Sequence, residues 1–239
     1  MSRIDEGIEN QSEANWRFNT EVVKVFDSHV RKSVPMYDEF HSMIADLSQW
    51  FIEEGTNVYD IGTSTGEGLK NVADVHKGKN INFIGIDKSK DMFEEAKERF
   101  KDYSNIGFIN GDISNEDIVV SNASVVTAIL TLQFIPKRKR QSVINKIYNG
   151  LNDGGALIII EKVIGNNARF DEMFIELYHD FKLKQGFSEG EVFSKSRAIR
   201  GVMQPNTVSE NIKLLDKAGF KDIDIFFKWC NFVGMVAIK

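Results

Sequence analysis

The sequence predicts an α/β fold: a doubly wound, mostly parallel sheet closed by a C-terminal antiparallel hairpin, with helices added at the N-terminus and inserted late in the chain. Three observations predict it. The runs Val58-Tyr59-Asp60-Ile61-Gly62, Ile81-Asn82-Phe83-Ile84-Gly85-Ile86-Asp87 and Gly107-Phe108-Ile109-Asn110-Gly111-Asp112-Ile113 are apolar segments that each close on an acid. Segments with helical spacing separate them, each long enough for one crossover. Near the C-terminus two apolar runs follow with only a short break, the pattern of a hairpin.

Each element follows from its local pattern. Residues 1–15 are polar and are expected to be mobile, whereas Trp16, Phe18, Val22, Val23 and Phe26 have the amphipathic spacing of a flanking helix or lid. The proline of Ser33-Val34-Pro35-Met36-Tyr37 restarts the chain, and Met43, Ile44, Leu47, Trp50 and Phe51 give helical spacing up to the turn at Glu54-Gly55. Strands are then expected at 58–61, 83–86, 106–109, 123–130 and 156–161, with helices from Gly66, over 90–100 and from Lys137. After Glu161 the alternation stops, and 170–187 and 188–201 read as inserted helices. A helix over 207–218 and strands over 220–227 and 231–238 return the chain to the sheet. The expected organisation is one domain over 16–239, with a helical flank at 16–54 and a helical insertion at about 165–203.

Composition narrows the function classes. A chain of 239 residues, 42% hydrophobic, can bury a substantial core in one domain. Its net charge of -5 argues against coating nucleic acid by bulk charge. The single cysteine, Cys230, excludes an intramolecular disulfide framework and a thiolate metal cluster, and no metal site is expected. No signal-peptide core and no membrane-length apolar run is present, so a cytoplasmic location is expected.

The functional signal starts at Gly62-Thr63-Ser64-Thr65-Gly66-Glu67-Gly68. Closely spaced glycines reach positive φ and let a ligand approach the backbone at the start of a helix; a tight turn without a ligand uses the same residues. Asp87 decides between these readings. At the end of the next strand it lies where a carboxylate accepts from both ribose hydroxyls of a nucleoside over the loop. Asp112 is placed to accept from an adenine amino group and Ile113 to pack on the ring, although turn formation alone also explains Asp112. The spacing Gly62-x-x-x-Gly66-x-Gly68 is not the pyrophosphate fingerprint of dinucleotide enzymes, and no Walker Gly-Lys-Ser/Thr follows. The one Tyr-x-x-x-Lys pair, Tyr178 with Lys182, falls in the inserted helices, which weakens a short-chain reductase. S-adenosylmethionine remains: a nucleoside with an amino-acid moiety and no pyrophosphate.

Thr131-Leu132-Gln133-Phe134, Asn152-Asp153-Gly154-Gly155-Ala156-Leu157, Glu161-Lys162, His179-Asp180-Phe181-Lys182 and Lys217-Ala218-Gly219-Phe220, together with the three acid-ended runs, resemble the carboxy-S-adenosylmethionine synthase family. The resemblance runs from about Trp16 to the C-terminus. It implies the Rossmann-like sheet of class I methyltransferases and transfer of carbon dioxide from prephenate to the methyl group of S-adenosylmethionine. It also implies a homodimer, and a product that serves a separate enzyme modifying wobble uridine in transfer RNA. The cofactor, S-adenosylmethionine or its carboxylated form, is then expected on Tyr37, Gly62, Thr63, Ser64, Asp87, Lys88, Asp112, Ile113 and Ile129.

Two positions depart from the family. Ile129 stands where the family has an Asn, and Ser196 where it has a carboxylate-binding Arg. Arg197 is the adjacent replacement candidate, although neighbours on a helix point about 100° apart. A negatively charged donor needs cations near the methyl, for which Lys162, Lys195, Arg197 and Arg200 are candidates, with Tyr178 and His179 as proton handlers. The departures keep two alternatives open: a conventional methyltransferase on RNA or a small molecule, and a non-catalytic S-adenosylmethionine-binding protein. Lys137-Arg138-Lys139-Arg140 reads as a solvated face or an RNA patch. Phe170, Met173, Phe174 and Leu177 share a helical face that serves as core or as a dimer surface.

Overall fold

The structure, a computed structural model, describes residues 20–239; the expectations for residues 1–15, Trp16 and Phe18 lie outside the described residues. Two helices, α1 (Thr20–Ser33) and α2 (Tyr37–Ser48), precede the sheet. Strands β1 (Asn57–Ile61), β2 (Asn82–Asp87), β3 (Ile106–Asn110), β4 (Ala123–Ile129) and β5 (Leu151–Lys162) alternate with α3 (Glu67–Val75), α4 (Lys90–Arg99) and α5 (Lys137–Gly150). The inserted helices are α6 (Ala168–Lys184) and α7 (Glu189–Ala198). Helix α8 (Val208–Ala218) then leads to β6 (Asp222–Trp229) and β7 (Phe232–Ile238). The sheet order is β3-β2-β1-β4-β5-β7-β6. The first five strands pair parallel, and β7 pairs antiparallel to both β5 and β6.

Burial explains the patterns. Strand β4 is apolar almost throughout because both faces of the sheet are covered there. Val143, Ile144 and Ile147 of α5, with Leu215 of α8, cover one face, while Phe40 and Ile44 of α2 and Leu69 and Val72 of α3 cover the other. Each layer buries the apolar stripe of its helices.

Several boundaries move, for physical reasons. Helix α2 stops at Ser48, after which Trp50 N–H bonds Leu47 O and Phe51 N–H bonds Ser48 O in a tightened turn, leaving Trp50 84% exposed. Strand β5 begins at Leu151 because the chain pairs with Ala123 before an irregularity that Gly154, at φ 78°, absorbs. Phe220 precedes β6 and is buried edge-on against Tyr148, with ring centroids 5.0 Å apart. On α6, Phe170, Met173 and Leu177 are exposed, so that face is surface in the folded chain.

The basic run resolves unevenly. Arg140 is buried, its Nε donating to Ile135 O at 2.8 Å and its Nη2 to the carbonyls of Gln133 and Gln204. Lys139 Nζ donates to Ser114 Oγ at 3.1 Å, leaving Lys137 and Arg138 as the exposed cations of the run. Arg140 thus braces the turn before α5 and is not part of a solvated face. No described helix is long and apolar enough to cross a membrane.

Candidate active site

The chain reverses direction across the sheet between β1 and β4, and the crevice beyond their C-terminal ends is where an open α/β sheet accepts a ligand. A cavity of about 290 Å³ opens there. Along the strand ends its lining runs from Asp112 and Asp87 through Gly62 and Thr131 to Lys162. Asp60, Asp87 and Asp112 line one half, with Lys88 beside Asp87, and Lys162, Lys182 and Lys195 line the other.

The acid half rests on backbone geometry. Gly62 (φ 72°) and Ser64 (φ 51°) both adopt left-handed conformations, and a Cβ on Gly62 would fall 2.3 Å from Thr131 Oγ1. Asp87 fixes this loop: its Oδ2 accepts from Ser64 N–H and its Oδ1 from Ser89 N–H, both at 2.8 Å. Each oxygen keeps acceptor capacity for a diol. Burial pushes the Asp87 carboxyl above the usual range, against those two donors. Beneath the loop, burial lifts Asp60 to about 6 although Thr127 Oγ1 donates to it at 2.7 Å. Asp112 is held below the ordinary range despite burial, because Ser114 donates through its hydroxyl and its N–H at 2.6 and 2.8 Å. Ile113 is buried beside it.

Tyr37 closes the loop side. Its ring lies under the Arg31 guanidinium at 5.8 Å, and Arg31 ion-pairs with Glu67 at the start of α3. His41, one turn on, packs on Tyr37 with ring centroids 4.5 Å apart. Neither of its buried ring nitrogens has a hydrogen-bond partner among the described residues, and burial lowers its pKa to about 4.

The far half is organised by Glu161. Its Oε1 accepts from Thr131 and Leu132 N–H at 3.1 and 2.8 Å, and its Oε2 from Gln133 N–H at 2.8 Å. One carboxylate thereby caps the 3-10 turn Leu132–Phe134. Burial pushes its pKa up to about 8, while the three donors and Arg140 pull the other way. Gln133 answers across the cavity, its Oε1 accepting from Lys162 N–H at 2.9 Å. The motif Thr131-Leu132-Gln133-Phe134 is therefore a turn locked to the end of β5. Leu130, at φ 53°, makes the sharp exit from β4 that this turn needs.

The structure brings together Tyr37, Gly62, Thr63, Ser64, Asp87, Lys88, Asp112, Ile113, Ile129, Tyr178 and His179 around this cavity, with Lys162, Lys195 and Ser196. Arg197 and Arg200 are not part of the lining. The Arg197 guanidinium instead lies 4.3 Å over the Phe193 ring, one turn back on α7. His41 and Gln133 were not singled out as site residues. The readable signal for His41 was its place four residues after Tyr37, on the same helix face. Among the described residues no group of three or more His, Cys, Asp and Glu side chains is placed to hold a metal.

A doubly wound sheet whose switch point carries a glycine loop, an acid at the end of the next strand and an apolar slot defines a nucleoside-binding domain of the class I methyltransferase type. A family model described as "Methyltransferase domain" matches residues 58–155. The carboxy-S-adenosyl-L-methionine synthase of Staphylococcus epidermidis is 46% identical over 231 residues, covering 96% of this chain and 100% of that protein. That of Methylococcus capsulatus is 36% identical over 225 residues, 93% of each. The solved human N-acetylserotonin methyltransferase in complex with SAM has a TM-score of 0.62 at 18% identity over 92% of this chain and 55% of its own, a likeness of fold. The chain belongs to the carboxy-S-adenosyl-L-methionine synthase family.

Proposed function

We propose that this chain, an S-adenosylmethionine-dependent transferase, adds a carboxyl group to the methyl of S-adenosylmethionine, with prephenate as the donor. The observation that carries this reading is the gathering of Lys162, Lys182 and Lys195 in the part of the cavity beyond Thr131, away from the strand-end acids Asp87 and Asp112. A methyl transferase acting on a neutral acceptor has no need of buried cations, whereas a carboxylate donor does.

S-adenosylmethionine, when bound, supplies an activated methyl carbon with acidic protons. Asp87 takes the ribose diol, Ile113 the adenine face, and the left-handed backbone at Gly62–Ser64 gives the amino-acid moiety room against N–H groups. Tyr178 is fixed by donation of its hydroxyl to Ser33 O at 2.9 Å, so it shapes the cavity, and His179 is the titratable neighbour left to move a proton. In the reaction the ring-to-carboxylate bond of prephenate breaks and its hydroxide departs as water with the methyl proton. The methyl carbon bonds to the released carbon dioxide.

Two further expectations go with this reading. The product serves a separate cytoplasmic enzyme that modifies wobble uridine in transfer RNA. Two copies of the chain pair through the exposed face of Phe170, Met173 and Leu177 on α6. Light scattering of the purified protein checks the pairing.

Mass spectrometry of the nucleoside released after incubation with S-adenosylmethionine, with and without prephenate, tests the activity. Carboxylated S-adenosylmethionine is expected only with both. Its absence, with methyl transfer to RNA appearing instead, would move the assignment to a conventional methyltransferase, the reading that Ile129 and Ser196 favour.

A further inference from the structure

His41 lines the cavity from α2 and is only 3% exposed, yet neither Nδ1 nor Nε2 has a hydrogen-bond partner among the described residues. Its packing shows why. The Tyr37 and Phe40 rings stand 4.5 and 4.9 Å from the imidazole between centroids, and a Cβ on Gly68 would fall 3.1 Å from both His41 Cε1 and Ile129 Cδ1. The imidazole, the alkyl end of Ile129 and the first turn of α3 therefore meet at one point of the cavity wall.

Gly68 belongs to this arrangement. Unlike Gly62 and Gly66, it has no left-handed φ, so backbone conformation does not call for glycine there. Space does. A side chain at 68 would press on the imidazole and on Ile129 at less than ordinary van der Waals contact. The last glycine of the loop run thus lets His41 come up against the start of α3, where the loop after β1 ends.

A buried polar group left unpaired costs stability, and a ligand that pairs it recovers that cost on binding. Burial lowers the His41 pKa to about 4, so the ring is neutral at neutral pH and offers one N–H donor and one bare nitrogen acceptor. An amino-acid group, with an ammonium and a carboxylate on one carbon, can answer either nitrogen. With the ribose and adenine taken up at Asp87 and Ile113, the amino-acid end is the part of S-adenosylmethionine that reaches the start of α3. We infer that His41 is a ligand contact of this cavity and hydrogen-bonds the amino-acid end of the cofactor, from α2, at a point where Ile129 presents no polar atom from β4. This rests on the reading of the cavity as the S-adenosylmethionine site and does not depend on the donor of the transferred group.

Two thioethers that differ only at this end serve as probes in calorimetry: S-adenosylhomocysteine carries the amino acid, and methylthioadenosine ends in a methyl group. The wild-type chain is expected to bind S-adenosylhomocysteine at least ~30-fold more tightly, and His41→Leu to cut that ratio by ~10-fold while affinity for methylthioadenosine stays within about twofold. His41→Gln, which keeps a donor and an acceptor on one amide, restores part of the ratio, an outcome that a packing role for the ring would not give. Thermal melting of each variant confirms folding. A ratio that His41→Leu leaves unchanged, or a loss shared equally by the two nucleosides, overturns the contact while the cofactor reading stands. Failure of the wild-type chain to bind either nucleoside overturns the cofactor reading and the contact with it.

Discussion

At the acid end of the cavity the loops after β1, β2 and β3 present a carboxylate whose partners are backbone N–H groups two and twenty-three residues away. At the lysine end, β5 and α6 contribute side chains that meet over a tyrosine ring. The first arrangement follows from how a strand-turn-helix must be built, so any nucleoside-binding sheet of this topology shares it. The second depends on which side chains the inserted helices carry. The reaction is therefore decided at the end that fold alone does not specify.

The largest expected effect falls where the two ends are joined. Glu161→Ala leaves the N–H groups of Thr131, Leu132 and Gln133 without their acceptor and should destabilise the chain by about 4 kcal/mol, a fall in Tm of roughly 10 °C. Scanning calorimetry checks it. A loss under about 1 kcal/mol would mean that the 3-10 turn holds without its cap, and that the lysine end is positioned by α6 alone.

At the acid end, Asp87→Ala removes the proposed ribose acceptor and the acceptor of the Ser64 and Ser89 N–H groups together. Affinity for S-adenosylmethionine should fall about 100-fold, near 3 kcal/mol, with equal loss for the carboxylated form. Unequal loss would show that the two ends are coupled, and the division drawn above would need to be redrawn.

The acid end was legible in the sequence because its chemistry is bound to punctuation: glycines and acids at strand ends mark the loop, and Asp87 follows at one crossover's distance. The lysine end was legible only in part. Lys162 and Lys195 were named as cations, and the spacing of Tyr178 and Lys182 puts that lysine one turn on along the same helix, but nothing in the spacing says that Lys162 reaches the same ring from β5. Arg140 was misread with its basic neighbours, although it precedes Val143, Ile144 and Ile147 by three, four and seven residues, the spacing of the buried face of α5. Arg197 beside Ser196 is the reverse case: neighbours in sequence point about 100° apart on a helix, and only Ser196 lines the cavity.

His41 distinguishes packing from ligand contact. With neither ring nitrogen paired, it costs stability as it stands, so His41→Leu should raise stability by about 1 kcal/mol at neutral pH. Its pH signature has a definite sign. The folded state lowers the His41 pKa to about 4 from 6.5, so the unfolded chain binds the extra proton between those values. Stability is full above pH 6.5 and is lost as pH falls toward 4, and His41→Leu should flatten that slope in melts recorded across the window. If the variant also loses affinity for S-adenosylmethionine, the imidazole belongs to the acid end as a ligand contact.

The smallest effect is expected from restoring the family's residue. Ser196→Arg returns a bidentate carboxylate partner to the cavity lining, and if Ser196 marks a simple loss, preference for the carboxylated cofactor should rise steeply. With Lys162 and Lys182 lining the same cavity, the added arginine meets cations that repel it. The gain should then stay under about threefold, below 0.7 kcal/mol. Binding measured in the Ser196→Arg chain and in Ser196→Arg with Lys162→Gln separates the cases. A small gain alone and a large one in the double variant means that arginine and lysine are alternative solutions to one electrostatic requirement. Equal gains in both would mean that they serve different groups of the ligand.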